Sequence, residues 1–294
     1  MYDYGNARVA GMRSRLLDEP TLRRLEEASS AAAFVAVLEQ QADVRPFLRD
    51  VAPLAAPGPA VEAAIERHRA ARLRALPRLY EGRARRLVEA LVIPLDRERI
   101  LGIVRRRRAG EAPEVVAETI VSGALLGPAD LGAIARVPGL AALAGELGRR
   151  GLLEPADASA LAARIEARDE PPRIEAGLVD GIDRVRLGRA EGRHADQRLV
   201  RSMIEDEIRQ RSEALEELMQ AGPSAASLLD RVSLLARLDA LSAAAHRDPL
   251  GVGPVAGYVA GVEAQAVRIR AALAGVAAGW GRELVGSYLA VGRV

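Results

Sequence analysis

The stretch DPLGVGPVAGYVAGVEAQAVRIRAALAGVAAGW, residues 248–280, decides the fold. Its apolar side chains fall at Tyr258, Val262, Ala266, Ile269, Leu273 and Val276, the three-and-four spacing of one helical face. Pro254 suits the first turn of such a helix, and Gly275 and Gly279 loosen or end it. A weaker copy stands earlier in the chain. A shift of 169 positions lays Asp96 on Gln265, Arg99 on Arg268, Ile100 on Ile269, Val104 on Leu273 and Gly110 on Gly279. The chain therefore reads as internally repeated.

Outward from that stretch, composition points the same way. Of the 294 residues 49% are hydrophobic, enough for a substantial core, and aromatic residues make up only 3%. Ala and Leu, both strong helix formers, carry most of the apolar share. No period-two segment of useful length occurs, so the expected class is all-α. All 42 basic residues are arginine, which excludes a phosphate-loop lysine and any Schiff-base chemistry. The absence of cysteine excludes disulfides and thiolate sites and fits a reducing compartment. With 40 acidic residues the net charge is +2, too small a surplus to argue for nucleic acid. The longest uncharged runs, Pro249 to Val262 and Ala271 to Gly281, are well short of the roughly 20 residues a membrane helix needs. Asp3 comes early and no continuous apolar stretch follows the first basic residues, unlike a secretory signal.

In chain order, helices are expected over Tyr2 to Leu17, from a Thr21 cap, and over Ala31 to Gln41. The proline-rich run Val51 to Val61 reads as a connection. A long helix is expected over Ala60 to Leu91, kinked at Pro77 and stopped by Pro94, with Asp96 capping the next helix up to Gly110. Pro113, Pro128, Pro138 and Pro155 each precede a short helical pattern. Ile174 to Leu187, Glu191 to Gln220 with a stop at Gly222-Pro223, and Ser224 to Ala245 follow. A last helix bearing Leu284, Tyr288 and Leu289 closes the series. Two long helices and two repeat copies suggest units of about 100 residues, drawn at 1–111, 112–222 and 223–294.

His68, His194 and His246 lie far apart and show no ligand spacing, so structural or surface roles are expected and no metal site. Glu205-Asp206-Glu207 with Glu213, Glu216 and Glu217 reads as a solvated face paired with Arg209 and Arg211. Gly251-x-Gly253 lacks the strand and third glycine of a dinucleotide loop. The densest charge cluster is Arg105 to Arg108, favoured near a helix C-terminus by roughly 0.3–1 kcal/mol and suited to an acidic patch on a partner. Interaction, not catalysis, is the default class.

Tyr4-Gly5-Asn6-Ala7-Arg8-Val9 followed by Met12-Arg13-Ser14-Arg15-Leu16-Leu17 resembles the N-terminus of the C-type central-stalk subunit of the bacterial and archaeal V/A-type ATP synthases, whose vacuolar counterpart is the d-type central-stalk subunit. The 248–280 stretch is similar to that family's C-terminal signature through Tyr258, Glu263, Ile269, Arg270, Gly275 and Gly279, although Arg99 and Arg268 stand where the family has Asn and Gln265 replaces its second acid. The resemblance implies three pseudo-repeated helical domains in a funnel of pseudo-three-fold symmetry. It implies a non-catalytic role, without cofactor, metal or nucleic acid. A protein of this kind sits on the cytoplasmic face of the membrane without spanning it, and its partners are the central shaft subunits and the membrane rotor ring. Matching repeat positions make Arg99, Arg105, Arg106, Arg268 and Arg270 the expected partner contacts. The competing reading is a helical scaffold or regulator that binds nucleic acid through Arg105 to Arg108.

Overall fold

The computed structural model describes residues 2–49, 51, 58–221 and 226–280. Among these, the elements are thirteen α-helices and two short 3-10 turns, with no strand. The helices are α1 (Asp3–Arg13), α2 (Glu19–Glu26), α3 (Ala31–Glu39), α4 (Gly58–Ala75), α5 (Gly82–Arg108), α6 (Pro113–Thr119), α7 (Pro128–Arg136), α8 (Leu140–Arg149), α9 (Pro155–Glu166), α10 (Pro171–Arg189), α11 (Ala195–Ala221), α12 (Ala226–Arg247) and α13 (Gly253–Ala278). The all-α expectation holds. Prolines open α6, α7, α9 and α10, where a missing N–H costs nothing. The deciding stretch forms α13, which carries Pro254 in its first turn and ends at Gly279 with a left-handed φ of 66°.

The structure corrects the reading around Pro94. The expected Ala60–Leu91 helix is two elements: α4 stops at Ala75, a 3-10 turn over Leu76–Leu79 takes Pro77, and Tyr80 is extended before α5 begins. Pro94, expected as a stop, lies inside α5, which runs on to Arg108. Asp96 caps no helix. Its carboxylate accepts from the main-chain N–H groups of Leu125 (3.0 Å) and Leu126 (2.9 Å), ahead of α7. Smaller corrections lie at the first helices: α1 ends at Arg13, and the cap of α2 is Asp18, which accepts from the N–H of Thr21 at 3.0 Å. The expected helix with Leu284, Tyr288 and Leu289, the Gly222-Pro223 stop, and Pro53 and Pro57 lie outside the described residues.

Six long helices organise the molecule: α4 packs on α13, α10 on α5, and α12 on both α11 and α13. Three cores fill the spaces. The first joins Val9, Leu73, Leu87, Leu91, Leu241, Val255 and Tyr258, so it draws on α1, α4, α5, α12 and α13. The second joins Ile93, Ile100 and Val104 of α5 to Leu131, Leu147, Leu161, Leu178 and Ile182 of α7 to α10. The third joins Leu25, Phe34, Leu38 and Ile65 to Ile269 and Leu273 of α13. The amino-terminal helices are thus completed by the far end of the described chain.

Candidate functional site, a buried arginine–carboxylate hub

Where the long helices meet, the interior is ionic. On α10, Ile174, Leu178 and Ile182 set an i+4 row on the buried face, and the next position in that row is Arg186, 1% exposed. The same happens on α11, where Met203 leads to Glu207 and then Arg211, and on α4, where Ile65 leads to Arg69 and Leu73. These charges follow the apolar register, so each helix carries them into the centre.

Two clusters result. In the first, Arg186 binds Asp183 at 2.8 Å and Glu207 at 2.7 Å, Arg97 of α5 binds the same two carboxylates at 2.8 and 3.3 Å, and Arg211 reaches Asp183 at 2.7 Å. In the second, Arg69 binds the buried Glu263 of α13 at 2.5 Å and Glu66 at 3.0 Å, and reaches out to the exposed Glu98 of α5 at 2.8 Å. Arg237 of α12 joins it through Glu263 at 3.3 Å. Arg97 and Glu98 are neighbours on α5, so that helix links the two clusters. All six long helices contribute.

Burial alone would raise the carboxyls of Asp183 and Glu207, but the surrounding arginines win and hold both well below the ordinary range. For Asp183 those are Arg97, Arg186 and Arg211, and for Glu207 they are Arg186 and Arg97. Arginine does not shed its proton in return. These two carboxylates therefore stay charged near neutral pH. Removing one partner from such a set costs about 3–5 kcal/mol because the others stay buried without compensation. An arrangement of that kind resists slippage more than an apolar contact, which tolerates sliding. Asp183 and Glu207, held ionised by arginines, are not poised near neutral pH as an acid–base pair.

The residues singled out in the sequence scatter around this hub. Arg99 binds Glu66, and Arg270 binds the same carboxylate at 3.1 Å, so both sit at the edge of the second cluster. Arg268 grips Glu19 at 2.6 Å and Glu26 at 2.7 Å on α2. Arg105 pairs with Glu175 at 2.7 Å, and Arg106 with Glu111 at 2.6 Å and with Thr119 at 2.8 Å. The five are not gathered in one place, and each has an internal carboxylate partner. Arg107, next to them, donates to the carbonyls of Ala135 and Val137 at the end of α7.

Other expectations divide. Glu205 and Asp206 do lie on the outer face, paired with Arg201 and Arg209, whereas Glu207, grouped with them in the sequence, is a hub ligand. Glu216 and Glu217 are outside the described side chains. His194 and His246 are exposed. His68 is structural: its Nε2 accepts from Arg72 Nε at 2.8 Å, its ring meets Phe47 edge-on at 5.4 Å, and burial pushes its pKa down to about 4. Among the described residues no group of three or more His, Cys, Asp or Glu side chains is placed to hold a metal ion.

The amino-terminal motif has a structural meaning as well. Asn6 donates to the carbonyls of Leu250 (3.2 Å) and Gly251 (2.9 Å) and accepts from the Tyr80 hydroxyl at 2.9 Å. Tyr2 donates to Asp196 at 2.9 Å. Gly5 lies against the Tyr80 ring, where a Cβ would stand 2.1 Å from a ring carbon. Tyr2 and the motif thus tie together the α4–α5 connection, the first turn of α11 and the α12–α13 connection.

A family match, described as the ATP synthase (C/AC39) subunit, spans residues 5–178, more than half of the chain. The chain belongs to this family. Comparison with curated proteins finds no match. The matched span takes in the amino-terminal motif from Gly5 onward and the Asp96 copy, and it reaches through much of the middle third. It stops before the 248–280 stretch and before Asp183, Arg186, Glu207, Arg237 and Glu263, so much of the hub lies outside the part that matches the family. No helix among the described residues is long and apolar enough to cross a membrane.

Proposed function

We propose that this protein is the non-catalytic central-stalk socket of a rotary V/A-type ATP synthase or ATPase, seating the rotating shaft on the membrane rotor ring and passing torque between them. Family membership supplies the complex, and the hub carries the mechanical part of the reading. A socket must transmit load without slipping, and a body whose six long helices are cross-linked by buried ion pairs suits that task. With no lysine in the chain, the usual phosphate loop has no counterpart.

In this reading the units 1–111, 112–222 and 223–294 are three repeats about a common axis, at the cytoplasmic face of the membrane. One parallel supports the repeat. Asp96 accepts from Leu125 and Leu126 before Pro128, and its counterpart Gln265 accepts from Leu17 at 3.4 Å before Pro20. Shaft and ring contacts fall to Arg99, Arg105, Arg106, Arg268 and Arg270. Arg105 and Arg106 come first, since their carboxylate pairs lie near the surface, where such pairs are worth about 0–1 kcal/mol and exchange partners readily.

The test is to purify the rotary complex with Arg105-Arg106 and Arg268-Arg270 changed to Ala, separately and together. Co-purification of shaft and ring subunits and ATP-driven ion pumping are then measured. Loss of either with the fold retained supports the reading. A chain that never co-purifies with shaft or ring subunits, even unmodified, defeats it.

A further inference from the structure

Pro94 lies in the middle of a 27-residue helix. A proline there has no N–H, so the carbonyl four residues before it, that of Ala90, loses its helical donor. A buried carbonyl without a partner is costly. Yet α5 is not interrupted. Arg186 Nε donates to the Ala90 oxygen at 3.1 Å, and Arg237 Nη2 donates to the next carbonyl, Leu91, at 3.1 Å. The two arginines come from different helices, α10 and α12, and are 1% and 4% exposed. Each is held from its other side by a hub carboxylate, Glu207 for Arg186 and Glu263 for Arg237.

The position has a second property. Leu87, Leu91, Val92 and Leu95 of α5 pack in the first core, whereas Ile93, Ile100, Ile103 and Val104 pack in the second. The change of core falls around Pro94, the point at which the helix is weakest in main-chain bonding.

We propose that Pro94 is a clamped joint: α5 changes cores there, the guanidinium group of Arg186 replaces the bond the proline removes, and that of Arg237 braces the next carbonyl, so that the two halves of the helix are held in line. The hub carboxylates then have a second task besides neutralising charge. They aim the two arginines at the main chain, so the stiffness of α5 is set by side chains from α10 and α12. This does not depend on the rotary reading and is tested on the isolated full-length chain.

Arg186→Lys keeps a cation beside Asp183 and Glu207 but gives up the Nε donor. Amide hydrogen exchange over residues 91–98 is expected to quicken about tenfold, the effect of losing one net hydrogen bond. Adding Pro94→Ala supplies an N–H to the Ala90 carbonyl and is expected to return exchange to near the parent rate. In parallel, Ser242→Cys and Glu166→Cys, both at exposed positions in a chain without native cysteine, carry spin labels on the two sides of the joint. Their distance distribution is narrow in the parent and broadens in Arg186→Lys. Unchanged exchange, quickened exchange that Pro94→Ala fails to restore, or a distribution that stays narrow each overturns the proposal. Should Arg186→Lys not fold, Arg237→Lys, which withdraws the bond to Leu91, takes the same two readouts, and no change in either overturns it equally.

Discussion

Replacing Asp183 with Asn examines the hub at its most connected carboxylate. Asp183 is 2% exposed and holds Arg97, Arg186 and Arg211 within 2.8 Å. The substitution keeps shape and one acceptor but leaves Arg97 and Arg186 sharing the single carboxylate of Glu207, and Arg211 with only Asp180 at 3.6 Å. Breaking a buried ion pair from one side costs about 3–5 kcal/mol, out of the roughly 5–15 kcal/mol by which a folded protein exceeds its unfolded chain. The assay is urea unfolding followed by helical circular dichroism, with midpoint and slope compared at pH 7. The pH dependence sharpens it. The folded-state pKa of Asp183 is depressed by its arginines, so its stabilisation is fully present above the ordinary aspartate value of 3.8 and is lost as pH falls through the folded value. Asn loses nothing there, and the gap between parent and variant should narrow below about pH 4. A variant within 1 kcal/mol of the parent at pH 7, or a gap that does not change in acid, would refute the view that this cluster is fully ionised and structurally decisive.

Other outcomes follow from single contacts. Because the unfolded chain protonates His68 near 6.5 and the folded chain only near 4, stability should fall as pH drops across that window, by up to about 3 kcal/mol. His68→Gln should flatten that slope in thermal melts taken between pH 7 and 4. Gly5→Ala should lower the melting point, since its Cβ meets the Tyr80 ring and the repacking costs about 1–3 kcal/mol; an unchanged melt would show that the ring moves freely. Isothermal titration of the isolated chain with Mg-ATP should give no heat of stoichiometric binding.

Much of the fold was readable because it rests on local signals. Apolar spacing placed α13, Pro113, Pro128 and Pro155 marked helix starts, and Gly279 marked an end, each through the chemistry of one or two residues. Pro94 misled for a tertiary reason: a helix survives a proline when a side chain from elsewhere takes the freed carbonyl, and Arg186, which takes that of Ala90, lies far along the chain. The same holds for Asp96, which has the look of a helix cap and instead serves a loop about thirty residues later. The hub did leave a trace. Arg186 follows Ile174, Leu178 and Ile182 at i+4, and Glu207 follows Met203 in the same way, so charges on an otherwise apolar stripe were the available clue. Reading Glu207 together with Glu205 and Asp206 hid it, because adjacent helical residues point about 100° apart and need not share an environment.

The third core has a consequence for how the protein comes into being. Leu25, Phe34, Leu38 and Ile65 complete their packing only against Ile269 and Leu273, about two hundred residues later. At roughly 5–20 residues per second of synthesis, the amino-terminal helices wait about 10–40 s with an apolar face uncovered. They are made first and finished last, so this end of the chain is the one most in need of a chaperone on the ribosome, and the arrival of α13 is the event that closes the molecule.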